Sequence, residues 1–266
     1  MLNHDQSSVD MKRAIQRPVP DMIRIPEGEF AMGSDPSRDT HATAEEMPQH
    51  SVYLSEYAIG RTPVTNSEYA TFLKATRYKP PRHWRLLLWR VRIPPYGRAS
   101  HPVVNVSWHD ARAYCEWLSR TTGEHYRLPT EAEWEKAARG TDARIYPWGD
   151  VWVSGRCHIS EHTEVTDTVP VGSHPAGSSP YGVEDMLGNV WEWTRSLWGR
   201  ELRKAAFTYP YEPSDGRENL DAASDVRRIL RGASYFADVA ATRCAARYRY
   251  SPKNFFPSVG FRVVRD

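Results

Sequence analysis

Thr130-Glu131-Ala132-Glu133-Trp134-Glu135-Lys136-Ala137-Ala138-Arg139-Gly140 decides how this chain is read. Thr130 can cap a helix, and Glu133 stands three residues on. In that pairing each side chain accepts an amide proton from the other's backbone. Trp134, Ala137 and Ala138 follow at helical spacing, and Gly140 is the stop. The same device recurs upstream. Thr65 with Glu68 opens a helix faced by Tyr69, Phe72 and Leu73. Ser107 with Asp110 opens another, faced by Tyr114, Trp117 and Leu118 and stopped by Gly123. Three capping boxes, each ahead of an apolar helical period, predict three helices in the first half of the chain.

Outside these helices the pattern changes. Met22-Ile23-Arg24-Ile25 alternates and then meets Pro26, Glu27 and Gly28, a strand and a turn. Val52-Tyr53-Leu54 and Tyr57-Ala58-Ile59 read as short strands, with a polar, acidic loop over 34–50 before them. After Gly140, glycines and prolines recur from Pro147 to Gly188 and leave room only for turns and short strands. Residues 199–225 are polar and irregular, which reads as a surface insertion. Strands return at Arg228–Gly232 and Gly260–Val264. Helices early and strands late predict one α+β domain over 22–266, after a disordered or extended segment over 1–20.

Composition narrows the function classes. Of 266 residues, 40% are hydrophobic and 26% charged, ordinary globular usage that excludes wholesale disorder and fibrous repeats. Three cysteines cannot form a disulfide framework. Ten tryptophans and twenty prolines suit a loop-rich chain pinned by aromatic anchors. A net charge of +2 gives no support for a nucleic-acid partner. Arginine far outnumbers lysine. Arginine favours fixed, bidentate contacts, although composition bias is the plainer account. Met1–Val19 lacks an apolar core of the signal-peptide kind, and the apolar run at Leu86–Trp89 is too short to cross a bilayer. The expectation is a cytoplasmic protein with reduced thiols and no membrane partner.

Standard catalytic motifs are missing: no nucleophile elbow, no phosphate loop, no HExxH and no CxxC. Cys157, His158 and His162 cluster loosely, but glycine and β-branched neighbours argue against one helical face, and hydrogen-bonded histidines are the better reading. Cys115 reads as a small core residue. Cys244 lies between Arg243 and Arg247, which can activate a thiol, but a plain buried cysteine is the commoner outcome. In Gly188-Asn189-Val190-Trp191-Glu192-Trp193, an Asn amide oxygen, a carbonyl and a carboxylate could converge on a hard cation such as calcium. A Trp-anchored turn with Glu192 in a salt bridge reads equally well.

Several stretches taken together resemble one family. They are Ile25–Ser34, Pro63-Val64-Thr65-Asn66 with Tyr69, His101–Trp108, Arg127–Glu135, Pro147-Trp148-Gly149, Gly188–Trp193, Arg231-Gly232-Ala233-Ser234 and Val259-Gly260-Phe261-Arg262. In that order the chain is similar to formylglycine-generating enzymes, the sulfatase-modifying-factor family, over roughly 22–265. The resemblance implies a C-type-lectin-like α+β fold with much irregular loop. The same fold serves copper enzymes, the lectin-like halves of sulfoxide synthases and variable proteins of diversity-generating retroelements, so fold alone does not give function.

Carried over residue by residue, the resemblance implies the following. The family's copper-binding cysteine pair falls on Ala237 and Thr242, and no nearby register places a cysteine there. Copper(I) needs soft ligands, so copper and formylglycine generation are not expected. Iron chemistry of the sulfoxide-synthase kind would need a helical domain that twenty-odd leading residues cannot supply. The family's calcium segment is matched by Asn189, Val190 and Glu192, which implies a structural calcium ion. A second calcium site is not expected, because His158 stands where the family has an asparagine. Residues 235–258, the stretch diversified in retroelement variable proteins, carry Tyr235, Phe236, Asp238, Arg243, Tyr248, Tyr250, Asn254, Phe255 and Phe256. Aromatics on rigid loops give large contact area at low entropic cost. The function expected is therefore binding of a protein, peptide or small-molecule ligand through this C-terminal aromatic surface. The alternative is a metal-dependent oxidoreductase with a non-standard site using Asp238, Arg243, Arg247 and Tyr248.

Overall fold

The computed structural model describes residues 19–84, 93–161 and 165–266. Most of the leading segment, the Leu86–Trp89 run and His162 lie outside the described residues. The three helices form where their caps predict: α1 (Asn66–Thr76), α2 (Trp108–Thr122) and α3 (Glu131–Arg139). Thr65, Ser107 and Thr130 each accept the amide proton of the residue three on, and each box closes in both directions. Gly123 ends α2 in the left-handed conformation, which costs glycine no steric penalty.

Strands β1 (Met22–Ile25), β3 (His50–Leu54) and β4 (Tyr57–Gly60) occupy the positions read from the sequence, and β2 (Gly28–Met32), which the sequence reading lacks, follows the turn at Pro26–Glu27. The later strands are β5 (Tyr126–Arg127), β6 (Trp191–Gly199), β7 (Arg227–Arg231), β8 (Tyr248–Tyr250), β9 (Val259–Gly260) and β10 (Val264–Arg265). One sheet runs β1-β4-β10-β5, so the first and last strands both pair with β4. A second runs β8-β7-β6-β9, and β2 and β3 form a two-stranded ribbon. All pairings are antiparallel except β6 with β9.

One reading is corrected and another sharpened. The Gly188–Trp193 stretch does not end in a turn: it runs into β6, nine residues and the longest strand described. Eight of the nine are buried, so both faces are covered and the alternation that marks an exposed strand is lost. Residues 199–225 are mostly exposed, as a surface insertion is, but the segment is anchored in the core. Tyr209, Tyr211 and Arg217 are buried, and Tyr209 and Arg217 both reach the Glu131 carboxylate.

The main core joins Tyr69, Phe72 and Leu73 of α1 and Tyr114, Trp117 and Leu118 of α2 to Trp191, Trp193 and Phe261. Tryptophan N–H groups tie the layers together. Trp108 donates to Thr194 O at 3.0 Å and Trp193 to Val106 O at 3.0 Å.

The abundance of arginine has a structural cause beyond composition bias. Arg231 pairs with Glu135, Arg262 with Glu192 at 2.6 and 2.7 Å, Arg247 with Glu131 at 2.9 and 3.0 Å, and Arg243 with Asp39 and Glu46 at 2.7 and 2.8 Å. All of these side chains are buried. A buried carboxylate needs such fixed, multiply bonded partners, and the guanidinium fork supplies them.

Candidate functional site

The chain leaves β7 at Arg231 and enters β8 at Tyr248, and the connection builds the wall of a groove. It begins at Gly232, with φ of +98°, where a Cβ would sit 2.9 Å from Met186 O and 3.0 Å from the Trp134 ring. Only glycine fits there. The connection then folds as successive tight turns. Ala237 N–H donates to Ser234 O, Ala241 N–H to Asp238 Oδ1 at 2.8 Å, and Thr242 Oγ1 to Asp238 O at 2.6 Å.

The groove has a volume of about 590 Å³. Phe236, Asp238, Tyr248 and Tyr250 line it on one side, with Trp191 of β6, while His41, Thr43 and Glu45 line it from the 34–50 loop. Phe236 is 54% exposed and Tyr248 38% exposed. Aromatic rings run in a row along this wall. Trp191 stacks on Tyr248 at 5.2 Å, Tyr248 meets Tyr250 edge-on at 5.1 Å, and Tyr250 lies 4.4 Å from Phe256. Burial and the neighbouring Tyr248 hydroxyl push the Tyr250 phenol up to about 12.

Both positions that correspond to the family's copper cysteines belong to this region and hold no sulfur. Ala237 lines the groove, and Thr242 is fully buried with its hydroxyl spent on Asp238 O. The cysteines lie elsewhere: Cys115, Cys157 and Cys244 are free and buried. Burial pushes the Cys157 and Cys244 thiols up to about 12, and Arg139, Arg231 and Arg144 do not offset this at Cys244. They are inert core thiols.

Of the ligand-binding residues expected from sequence, Phe236, Asp238, Tyr248 and Tyr250 come together in the groove. Arg243 is at the groove but 3% exposed, its guanidinium held by Asp39 and Glu46. Tyr235 is buried, and its backbone contacts Asn189 and Ser160. Phe256 lies half-buried beneath Tyr250. Phe255 stands apart, stacked on Arg82 at 4.8 Å, and Asn254 turns back onto Ser251. Sequence reasoning missed His41, Glu45, Trp191 and Arg249. Trp191 belongs to the main core, and its place beside Tyr248 makes it part of the groove as well. Nothing in a polar loop marks His41 or Glu45 for this role.

The candidate calcium residues lie deeper. Glu192 accepts from Arg262 on both oxygens and from Trp134 Nε1 at 2.8 Å, so it is engaged in a bidentate salt bridge. Asn189 Oδ1 accepts from Val169 N at 3.1 Å, and Asn189 Nδ2 donates to Val169 O. Asp185, buried and near enough to Glu192 and Arg262 to feel both charges, is a further oxygen donor that sequence reasoning passed over. By chemistry the oxygens suit a hard cation, with Arg262 competing for Glu192. Among the described residues no three His, Cys, Asp or Glu side chains converge as a metal cluster.

A loop-rich α+β scaffold carrying an aromatic groove where a copper pair would sit defines the class: a lectin-like domain of the formylglycine-generating type without its thiolates. The family described as "Sulfatase-modifying factor enzyme 1-like domain" matches residues 7–266, and the chain belongs to it. It is 33% identical over 297 residues to the formylglycine-generating enzyme of Streptomyces coelicolor, covering 92% of this chain and 88% of that one. It is also 32% identical over 273 residues to the serine/threonine-protein kinase pkn1 of Chlamydia pneumoniae, covering 97% of this chain. It spans only 40% of that kinase. Among solved structures, PvdO from Pseudomonas aeruginosa superposes with a TM-score of 0.72 at 28% identity, covering 94% of this chain and 95% of PvdO. Treponema denticola variable protein 1 shares the fold at a TM-score of 0.66 and 22% identity, covering 92% of this chain and 94% of that one. Among the described residues no helix is long and apolar enough to cross a membrane.

Proposed function

We propose that this chain is a ligand- or protein-binding member of the family that recognises its partner through the aromatic groove. Phe236, Asp238, Tyr248 and Tyr250 make the contacts, and Trp191 backs them. The observation that carries this reading is the pair Ala237 and Thr242: the groove is kept while both soft-ligand positions are filled by an alkyl group and a spent hydroxyl. Exposed tyrosine and phenylalanine on a wall fixed by tight turns lose little entropy on binding. Variation of residues 235–258 between isolates, as in a retroelement variable protein, belongs to the same proposal. So does a cytoplasmic setting, supported by three free thiols.

Two measurements test it. The purified protein is loaded with copper(I) and given oxygen and a cysteine-containing sulfatase peptide. No aldehyde should form, and turnover would overturn the reading. The protein and its F236A/Y248A variant are then screened side by side on peptide and glycan arrays. Binding present in the wild type and lost in the variant supports the groove; equal profiles, or none, count against it.

A structural calcium ion held by Asn189, Val190 and Glu192 is a separate proposal. Its support is the oxygen chemistry of the set, to which Asp185 adds a carboxylate. Millimolar calcium should raise the melting temperature by a few degrees over a chelated sample. Identical melts with and without chelator would remove calcium from the account.

A further inference from the structure

A second cavity lies away from the groove and shares none of its lining residues. It has a volume of about 220 Å³ and sits between α2, β5, β6 and the loop carrying Leu220. Its apolar walls come from Trp108, Cys115, Leu128 and Leu220. Tyr126, also lining, has a buried hydroxyl with no partner. A cavity of about 150 Å³ takes one benzene ring, so this one holds a ring and a small polar head.

Guanidiniums collect around this cavity and are unequally matched: Arg112 is held by Glu116, also a lining residue, at 2.9 Å, whereas Arg195 and the neighbouring Arg228 are more loosely bonded. Arg228 is 2% exposed and stacks on the Trp108 ring at 4.0 Å. Its two hydrogen bonds go to the carbonyls of Arg195 and Leu220, both lining residues, and its buried Nε has no partner. Arg195 also lines the cavity. Its Nη2 donates to Glu218 O at 3.3 Å, and its Nε stands 3.5 Å from Glu218 Oε2, an ion pair with no hydrogen bond on either of those two atoms. Arg127, by contrast, is saturated by Glu133 and Asp266. Burial pushes Arg228 down to about 10; Glu218 opposes this, while Arg112 and Arg195 add like charge. A buried guanidinium without a carboxylate is costly, and an anion nearby offsets that cost.

We propose that this cavity is a second ligand site and that it takes a small aryl carboxylate, the ring against Trp108 and Leu220 and the carboxylate toward Arg195. The flat apolar walls select the ring, and the free Nε–H of Arg195, held only by a long ion pair to Glu218, selects the anion over a neutral isostere.

Isothermal titration with benzoate and 3-phenylpropionate tests the assignment, with benzamide and benzylamine as neutral and cationic controls. The carboxylates should bind saturably, and benzamide should bind about tenfold more weakly or worse. Arg195→Gln should bring benzoate down to the benzamide level. Leu220→Trp, which fills the cavity, should abolish binding while Phe236→Ala leaves it unchanged. If L220W melts early, Leu220→Phe carries the same test. Equal binding of benzoate, benzamide and benzylamine, benzoate binding that survives the filled cavity, or no saturation at tens of millimolar would each overturn the proposal.

Discussion

The segment from Arg231 to Tyr250 has two sides that obey different rules. Its inward side is fixed. Arg231 holds Glu135 and the carbonyls of Ala245 and Cys244, Arg243 holds Asp39 and Glu46, and Arg247 holds Glu131. Its outward side presents Phe236, Asp238 and Tyr248 to solvent. Inward residues have their partners built in, whereas outward residues have contact area in reserve. Twenty residues of chain thus serve as scaffold and recognition surface at once, and the two roles are separable because they fall on different side chains. Substitutions on the two sides should therefore differ in kind as well as in size.

The largest effect is expected on the inward side. Burial alone would raise the Glu135 carboxyl, but Arg231 and Arg139 beside it and the Gly33 amide hold it below the usual range. Removing its charge leaves two buried guanidiniums short of a partner. Glu135→Gln should cost about 3–5 kcal/mol in urea unfolding. A loss below about 1 kcal/mol would mean that the pair is not structural. Gly232→Ala comes next. It places a methyl group against Met186 O and the Trp134 ring in a left-handed backbone, and should cost about 2–3 kcal/mol. The groove wall would shift with it.

How much of this was legible follows the same division. Capping boxes announce helices through local hydrogen bonds, so Thr65, Ser107 and Thr130 marked all three correctly. Glu131 and Glu135 were not legible as core residues. They read as polar surface in a capped helix, yet every residue of α3 is buried, because distant arginines on β7 and on the loop before β8 meet them. Hydropathy carries no trace of a charge neutralised from a hundred residues away. The groove was half legible. Its C-terminal wall came from one continuous stretch, whereas His41 and Glu45 arrive from a loop whose position depends on Arg243 meeting Glu46.

Glu218 is the counterpart that sharpens the comparison, a largely buried carboxyl without a closely bonded arginine. Burial raises it to about 7, against the hydrogen bonds from Ser196 and Tyr211; Glu131 adds to the rise, and Arg195 opposes it. The two glutamates should give opposite slopes with pH. A folded value below the unfolded one, as at Glu135, contributes stability above pH 4.5 that is lost as pH falls through the folded value. A folded value above the unfolded one, as at Glu218, costs nothing below pH 4.5. Its cost grows from there and is complete above about pH 7. Glu218→Gln should therefore match the wild type at pH 4 and exceed it at pH 8 by on the order of 1–2 kcal/mol. A variant less stable than wild type at pH 8 would mean that the ionised carboxylate is accommodated in the fold.

The smallest stability effect is expected on the outward side, and there it is the most informative. Phe236 and Tyr248 keep much of their surface in water, so truncating either to alanine gives up little burial. Each should change unfolding stability by less than about 1 kcal/mol. Tyr248→Ala should cost the more of the two, because Trp191 and Tyr250 lose a stacked neighbour. A larger loss at Phe236 would place it in the packing of the groove wall, and the division between the two sides of the segment would fail at that residue. A small loss combined with altered partner recognition would hold the division. The exposed rings would then be free to vary in sequence while Arg231, Arg243 and Arg247 are not, since only the latter have carboxylates buried against them.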